Sequence, residues 1–441
     1  MTLDLPQSCD IAVVGAGAAG LATAIFIRRS TRARSVLLLD GARNPGAKIL
    51  VSGGSRCNVT NVAVSERDFW GGRSTIVRRV LRAFPVADTI AFFREIGVPL
   101  HEEAGGKLFP DTNRARDVLA ALLREAAAAG VTLVAGCRVT DIARLQPPLD
   151  VARGGPEPAE GPDATERARF RIATSRGELR ANAVVLATGG QSLPKSGSDG
   201  AGFALAASLG HTIVPTTPAL DALRLDPSDP LHRALPGVSQ DVELAVRIDG
   251  AIAIRLTGAL LWTHFGASGP VAMNASRHWL RAQIEQRPAS ITVSFCPGRQ
   301  FDEIDARWTR RAAERPRQSV QTTLAAMVPA AVAAALLEAL AIDNRIALAH
   351  LSRDARRRLT RALVEWPLPV IGTRGYQYAE ATAGGVALTE INPATMESRL
   401  CPGLYLVGEM LDVDGRIGGF NFQWAWSSGF VAGRALGKSL A

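Results

Sequence analysis

The five cysteines, Cys9, Cys57, Cys137, Cys296 and Cys401, stand apart and form no CxxC pair. That spacing argues against a disulfide framework, a zinc site or a dithiol–disulfide redox centre. The start, MTLDLPQSCDIAVVGAG, has no basic segment followed by an apolar run, so no signal peptide is expected. Outside the small-residue stretch near the N terminus, no uncharged apolar run reaches the roughly 20 residues that span a bilayer. No membrane partner is expected, and the cytoplasm is the expected location. The 42 glycines follow no fixed period, which excludes a fibrous or solenoid repeat. No serine lies in a nucleophile-elbow context with a histidine and an acid. A second convincing GxGxxG is also missing, so a separate nicotinamide domain is not expected.

What is present is a 441-residue chain, 47% hydrophobic and 21% charged. That length predicts two or three domains, and the composition is that of a soluble globular protein. Lys and Arg number 50 against 41 Asp and Glu, a formal net charge of +9. Positive charge favours nucleic acid or an anionic surface. Two arginine concentrations, Arg307 to Arg317 and Arg353 to Arg361, fall in helical patterns that equally suit ordinary solvated faces.

Asp10 to Val14 reads as a buried strand, Ala18 to Arg29 as a helix and Ser35 to Leu39 as the next strand, a βαβ unit. Amphipathic helices are expected over 76–96 and 114–129, with strands at 131–135, 137–145 and 183–187. Residues 146–170, rich in Pro, Gly and charge, read as an exposed excursion. Short β-like runs fill 210–300, a helical stretch interrupted by Pro329 follows to 364, and Leu404 to Val407 is again a buried strand.

The strongest local signal is GAGAAG, residues 15–20, between strand and helix. Gly15 permits the tight turn, Gly17 lets backbone approach a pyrophosphate, and Gly20 lets helix and strand pack closely. The helix N terminus offers unpaired N–H groups to phosphate, and the Asp40 carboxylate could accept from a ribose diol. This fingerprint does not separate FAD from NAD. A dinucleotide domain combined with a late Gly-Glu segment leans towards FAD. The loop KILVSGGSRCNVTN, residues 48–61, brings Lys48 and Arg56 beside small residues and donors. It could wrap a phosphate, face a flavin ring or be a surface loop. LWTHFGASGP, residues 261–270, sets His264 in a turn, where it could protonate a substrate, anchor an anion or hold the turn. In GEMLDVDGRIGGFNFQWAWSSG, residues 408–429, Gly418 and Gly419 open a final helix whose N terminus would favour negative charge on a reduced flavin. Asn421 and Gln423 could add hydrogen bonds there, while Trp424 and Trp426 read as packing. The Asp412/Asp414 spacing is too short and too isolated to support a metal site, and no metal is expected.

Taken together, GAGAAG, KILVSGGSRCNVTN, LATGGQSLPKSGSDGAGFALAASLGH (186–211), THFGASGP, TAGGVALTEINPATMESR (382–399) and GLYLVGEMLDVDGRIGGFNFQWAWSSG (403–429) resemble the bacterial BaiN-like or YhiN-like family of NAD(P)/FAD-dependent oxidoreductases. The resemblance implies an α/β fold. Its Rossmann-type FAD-binding domain is assembled from 1–200 and 381–441. A mostly β, barrel-like substrate-side domain spans 201–302 and 365–380, and a helical subdomain spans 303–364. It also implies that Gly15, Gly17, Ala18, Ala19, Gly20 and Asp40 hold the ADP half of FAD. Lys48, Ser52, Gly53, Gly54, Arg56, Cys57 and Asn58 would approach the pyrophosphate, ribityl chain or ring. Thr188, Gly189 and Gly190 would pack nearby, and Gly408, Glu409, Asp414, Gly418, Gly419, Asn421 and Gln423 would complete the site. The implied chemistry is hydride transfer from transiently bound NAD(P)H through flavin N5 to an electron-poor C=C, with His264, then Cys57, as candidates for the proton. The partner would be a small-molecule substrate, such as a steroid-like acid, or ribosomal RNA whose uridine becomes dihydrouridine. Amino-ketone oxidation and a non-catalytic redox-sensing role are the other readings. One departure from the family is Ser55, where glycine is usual. Serine there costs conformational freedom if the backbone needs positive φ.

Overall fold

The computed structural model describes residues 5–145 and 169–439, so most of the 146–170 excursion lies outside the described residues. The chain divides into two compact units, residues 1–216 with 380–441, and residues 217–379.

The first unit is built on a seven-stranded sheet whose strands are β1 (Ser8–Val14), β2 (Val36–Asp40), β3 (Thr132–Ala135), β4 (Val139–Arg144), β5 (Phe170–Thr174), β6 (Gly177–Leu186) and β7 (Leu404–Leu406). The order is β3-β2-β1-β6-β5-β4, with β7 added on β6. Strands β3, β2, β1, β6 and β7 run parallel, while β5 pairs antiparallel with both β6 and β4. The long β6 makes this possible: its first half pairs with β5 and its second half, from Val184, with β7. The central strands are apolar on both faces, with Ile11, Val13, Leu38, Val184 and Leu186 all fully buried, as parallel strands covered on both sides require.

Two helices matter most for position, α1 (Ala18–Ser30) and α2 (Phe420–Ser439). Glycines at 429, 433 and 437 recur every four residues, on one face of α2. A Cβ at Gly429 would press on Ala19 and Ala22, at Gly433 on Thr23 and Phe26, and at Gly437 on Ser30. The contacts advance together, so the helices run parallel and close. Helix α2 begins about seven residues before the level at which α1 begins, roughly 10 Å at 1.5 Å per residue. The segment expected as helix over 76–96 is two helices, Ser74–Ala83 and Val86–Glu95, split at Pro85. Proline fixes its own φ and lacks the N–H that would continue the first helix.

The second unit carries a seven-stranded sheet in which every pairing is antiparallel. In spatial order its strands are Trp366–Leu368, Ala289–Ser294, Ser239–Ile248, Ala251–Thr263, Gly266–Ser268, Leu223–Leu225 and Val370–Thr373. The two edge strands are joined by Pro369 alone, which obliges the sheet to curl until its edges meet. Helices Phe301–Glu314, Val320–Ala325, Ala330–Ala339 and Arg353–Val364 share a core with it through Trp308, Leu324, Leu336 and Leu359.

Candidate functional site

In the first unit, β1 ends directly on the glycine turn. Gly15 has φ +103, a left-handed value at which a side chain is strained, and a Cβ there would collide with the Ala187 backbone. A Cβ at Gly20 would collide with the Gly15 carbonyl oxygen. At Gly17, the N-cap of α1, an added Cβ meets nothing within 4 Å. The turn therefore packs against protein at its first and third glycines and opens at the second, as a cradle for a phosphate ester requires. Gly17 has no side-chain cap, so the first-turn N–H groups of α1 keep their capacity for an anion. Gly17 and Ala18 are half-buried, whereas Ala19 and Gly20 are buried.

Asp40 closes β2 and braces the turn. One carboxylate oxygen accepts from Ala16 N–H (2.7 Å), the other from Ala42 N–H (2.8 Å). The carboxylate expected to meet a ribose thus also fixes the backbone around Gly15 and Gly17. Each oxygen keeps a second acceptor site.

The 48–61 loop follows a left-handed path. Gly53 (φ 56), Gly54 (φ 68), Ser55 (φ 66) and Cys57 (φ 64) all have positive φ. The position at which serine departs from the family pattern does carry the conformation glycine favours. Lys48 donates to Ser192 Oγ (2.8 Å) and forms an ion pair with Glu409. Ser192 Oγ donates to Glu409 Oε1 (2.8 Å), which also accepts from Thr382 N–H (2.9 Å). Thr382 Oγ1 accepts in turn from the Gln191 and Ser192 N–H groups. Gly190 leaves room for that hydroxyl, since a Cβ there would collide with it, and Gly189 packs beside Ser198. Thr188, half-buried, lies against Gly202. Four distant segments are thereby locked together. The sequence does not mark Ser192 and Thr382 as site residues; their only signal is membership of the LATGGQS and TAGGV blocks.

At the start of α2, Gly418 and Gly419 have φ 125 and 93, and a Cβ at Gly419 would strike the Thr60 backbone. The Asn58 amide, turned to suit its neighbours, accepts from Gly419 N–H (3.1 Å). Gly408, φ 74, lies against Ala19 and donates to Ser428 Oγ (3.0 Å).

Several expected contacts have other tasks. Any side chain that touches a cofactor must have surface open in this ligand-free chain. Gln423 is 1% exposed and spent: Oε1 accepts from Thr60 (2.6 Å) and Thr89 (3.0 Å), while Nε2 donates to Phe84 O (2.9 Å) and Ser427 Oγ (3.1 Å). It pins α2 to the core rather than facing a ring. Asn421 brackets the backbone of Gly415, accepting from its N–H and donating to its carbonyl. Asp414 is 1% exposed. Cys57 is fully buried, and burial pushes its thiol up to about 12, which removes it as a proton donor to substrate. Arg56 stacks on Phe109 and pairs with Glu103 (2.6 Å). Ser52 Oγ donates to Ile49 O within its own turn. Trp424 and Trp426 are packing residues, their indole N–H groups held by Gly408 O and Val59 O.

His264 belongs to the second unit. It is exposed in the turn between strands Ala251–Thr263 and Gly266–Ser268, with Phe265 beside it. Among the described residues, no cluster of His, Cys, Asp and Glu could hold a metal ion, and no helix is long and apolar enough to cross a membrane.

The family profile described as HI0933-like protein Rossmann domain matches residues 9–435, and the chain belongs to that family. This is the family of oxidoreductases expected from the motifs. A 3-dehydro-bile acid delta(4,6)-reductase of Clostridium scindens is 33% identical over 97% of this chain and 99% of its own. A ribosomal RNA dihydrouridine synthase of Haemophilus influenzae is 29% identical over 98% of this chain and 100% of its own. A solved quinol–fumarate reductase aligns at 15% identity and a TM-score of 0.49, covering 98% of this chain and 71% of that one.

Proposed function

We propose that this chain is an FAD-dependent reductase that saturates a C=C bond conjugated to a carbonyl, with NAD(P)H as reductant. The observation that carries the reading is the pair of parallel helices α1 and α2, each opened by glycine and offset by roughly 10 Å. The glycine turn before α1 suits a pyrophosphate, and the start of α2 supplies a second positive helix end farther along. Two such ends at that spacing fit the two electron-rich parts of one extended dinucleotide, its phosphates and its ring. Bound FAD would supply hydride transfer.

The chain's own residues do the rest. The α1 N terminus and the open side of Gly17 hold the phosphates, and Asp40 keeps that turn in shape. Lys48, clamped by Glu409 and Ser192, ties the 48–61 loop to the turn after β7 in the same unit. His264 delivers or orients the proton that accompanies hydride addition. Both relatives' names describe the saturation of a conjugated double bond, which supports a shared reaction type on different substrates. The test is release of FAD on denaturation of purified protein, with bleaching of its absorbance by NADH or NADPH. Colourless protein with no extractable flavin would end the reading.

The net charge of +9 favours a second, narrower reading, in which the substrate is a uridine of ribosomal RNA. Mass spectrometry of rRNA nucleosides from a deletion strain and its parent decides it. Unchanged dihydrouridine would exclude it.

A further inference from the structure

The two arginine concentrations of the second unit are put to different uses. On helix Arg353–Val364, Arg356 pairs with Asp305 (2.9 Å), Arg358 pairs with Asp354 (3.2 Å), and Arg357 lies over the Phe301 ring. Those side chains are spent on the protein itself. Helix Phe301–Glu314 differs. Arg307, Arg310, Arg311 and Glu314 fall at i, i+3, i+4 and i+7, which places them on one face. Arg311 finds a partner there, Glu314 at 3.6 Å. Arg307 and Arg310 have no carboxylate partner among the described residues.

That face lines a cleft of about 370 Å³, shared with the segment from Gln318 to Met327. Trp308 lines it too. This residue is 2% exposed, and its indole N–H has no hydrogen-bond partner within the chain. Gln318, on the same cleft, has a buried Oε1 that accepts from no donor of the chain. Buried polar groups are as a rule paired, because an unpaired one forfeits the hydrogen bonds it made to water. A donor and an acceptor left open on one cleft call for a ligand that offers both. Two guanidinium groups without carboxylates make its acceptor side anionic, and the guanidinium fork suits phosphate oxygens. The volume exceeds what a bare phosphate fills and lies in the range of small-molecule sites, which begins at about 300 Å³.

We propose that this cleft binds a ribose phosphate. Phosphate oxygens accept from Arg307, Arg310 and the Trp308 indole N–H, and a ribose hydroxyl donates to Gln318 Oε1. Ala326 and Met327 give the attached base an apolar wall. A free nucleotide and a single-stranded RNA both present this chemistry. A DNA strand does not, since it lacks the 2′-hydroxyl. Every group invoked lies within the second unit, and the site stands whether or not the chain reduces a C=C bond.

The test uses the full-length protein as purified, with a fluorescent single-stranded oligouridylate, the deoxy strand of the same length and uridine 5′-monophosphate, read by anisotropy and by competition. The RNA should bind more tightly than the DNA. The double variant Arg307→Ala/Arg310→Ala should weaken RNA binding at least about tenfold. It should also lower the slope of log affinity against log salt by about 0.7–1.4, as loss of one or two phosphate contacts to a single strand requires. Both arginines are exposed, so this variant should unfold at the parent's midpoint. Gln318→Leu should bring RNA affinity down to that of DNA. Trp308→Phe, which keeps a buried ring and removes the N–H, should weaken both strands. Displacement of the strand by uridine monophosphate at comparable concentration identifies a free nucleotide as the source, and displacement only at large excess identifies RNA. Absence of binding, equal affinity for RNA and DNA, displacement by polyglutamate of equal charge, or full affinity in the double arginine variant overturns the site.

Discussion

Lys48 and Glu409, separated by 361 residues of sequence, meet as an ion pair whose side chains are 24% and 17% exposed. The pair joins the loop after β2 to the turn after β7, with Ser192 bonded to both partners. Removing one partner of a partly buried pair leaves the other charge poorly solvated, which costs about 1–3 kcal/mol when polar neighbours remain. Lys48→Ala should therefore lower the denaturant midpoint and reduce the FAD retained per chain through gel filtration. Lys48→Met in a Glu409→Gln background should recover part of the stability but not the FAD. If the double variant is no more stable than the single, the pair has little energetic coupling.

The glycine turn separates a packing role from a binding role. Gly20→Ala drives a methyl into the Gly15 carbonyl, an overpacking expected to cost about 1–3 kcal/mol or more. Gly17→Ala meets nothing within 4 Å in the ligand-free chain, so the apoprotein should unfold at the parent's midpoint. Its FAD affinity should nevertheless fall at least about tenfold, because the methyl fills the space a pyrophosphate would take. Comparing apo-protein denaturation with FAD titration checks both arms. An unchanged FAD affinity in Gly17→Ala would place the cofactor elsewhere.

That contrast shows what the sequence makes legible. GAGAAG declares its geometry because only glycine satisfies the turn and the helix–strand contact, and both constraints are local. The parallel βαβ core follows from unbroken apolar runs such as DIAVV and SVLLL. From sequence, Gln423 and Cys57 look like flavin contacts, because a polar or nucleophilic group in a motif looks the same whether it faces a ligand or a buried neighbour. The partners that spend Gln423 are Thr60, Thr89 and Phe84, more than 300 positions away. No local pattern encodes them.

Ser55 provides a stability test with a known sign. Its φ of 66 lies in the left-handed region, where a residue with a Cβ loses roughly 1–2 kcal/mol relative to its favoured conformations. Glycine removes that strain but adds about 0.5–1 kcal/mol of unfolded-state entropy. Ser55→Gly should thus stabilise by about 0–1.5 kcal/mol in urea denaturation. A loss above 1 kcal/mol would mean that the serine hydroxyl, not the backbone, dominates at this turn.

All five cysteines are buried, and burial pushes the thiols of Cys9 and Cys57 up to about 12. At pH 8 such a thiol is ionised to only about one part in ten thousand, and the thiolate is the reactive form. Native protein should react with little or no thiol reagent, and all five sites should appear in guanidinium. Cys57→Ala should keep the turnover of any substrate found. Rapid labelling of Cys57 in the folded protein would require an opening of the 48–61 loop.

His211 lies between Ser398 Oγ (2.9 Å) and Glu390 Oε2 (2.9 Å), the outline of a hydrolytic triad that no sequence motif announced. Ser398 is 6% exposed, and its oxygen already accepts from the Leu400 (3.0 Å) and Cys401 (2.8 Å) N–H groups. With both lone pairs engaged it is a poor nucleophile, and the line is a structural clamp. Burial alone would raise the Glu390 carboxyl. Donation from the Thr212 hydroxyl and N–H, and from His211, outweighs this and holds the carboxyl below its ordinary value of 4.5. A carboxyl depressed in the folded state stabilises above its unfolded value and loses that contribution as pH falls through the folded one. The clamp should therefore be intact at neutral pH and weaken below about pH 4.5. Glu390→Gln should lower stability at pH 7 and flatten the acid limb of the stability profile. An acid limb as steep as the parent's would assign acid unfolding to other carboxylates. Measurable ester hydrolysis that disappears in Ser398→Ala would overturn the clamp in favour of a working triad.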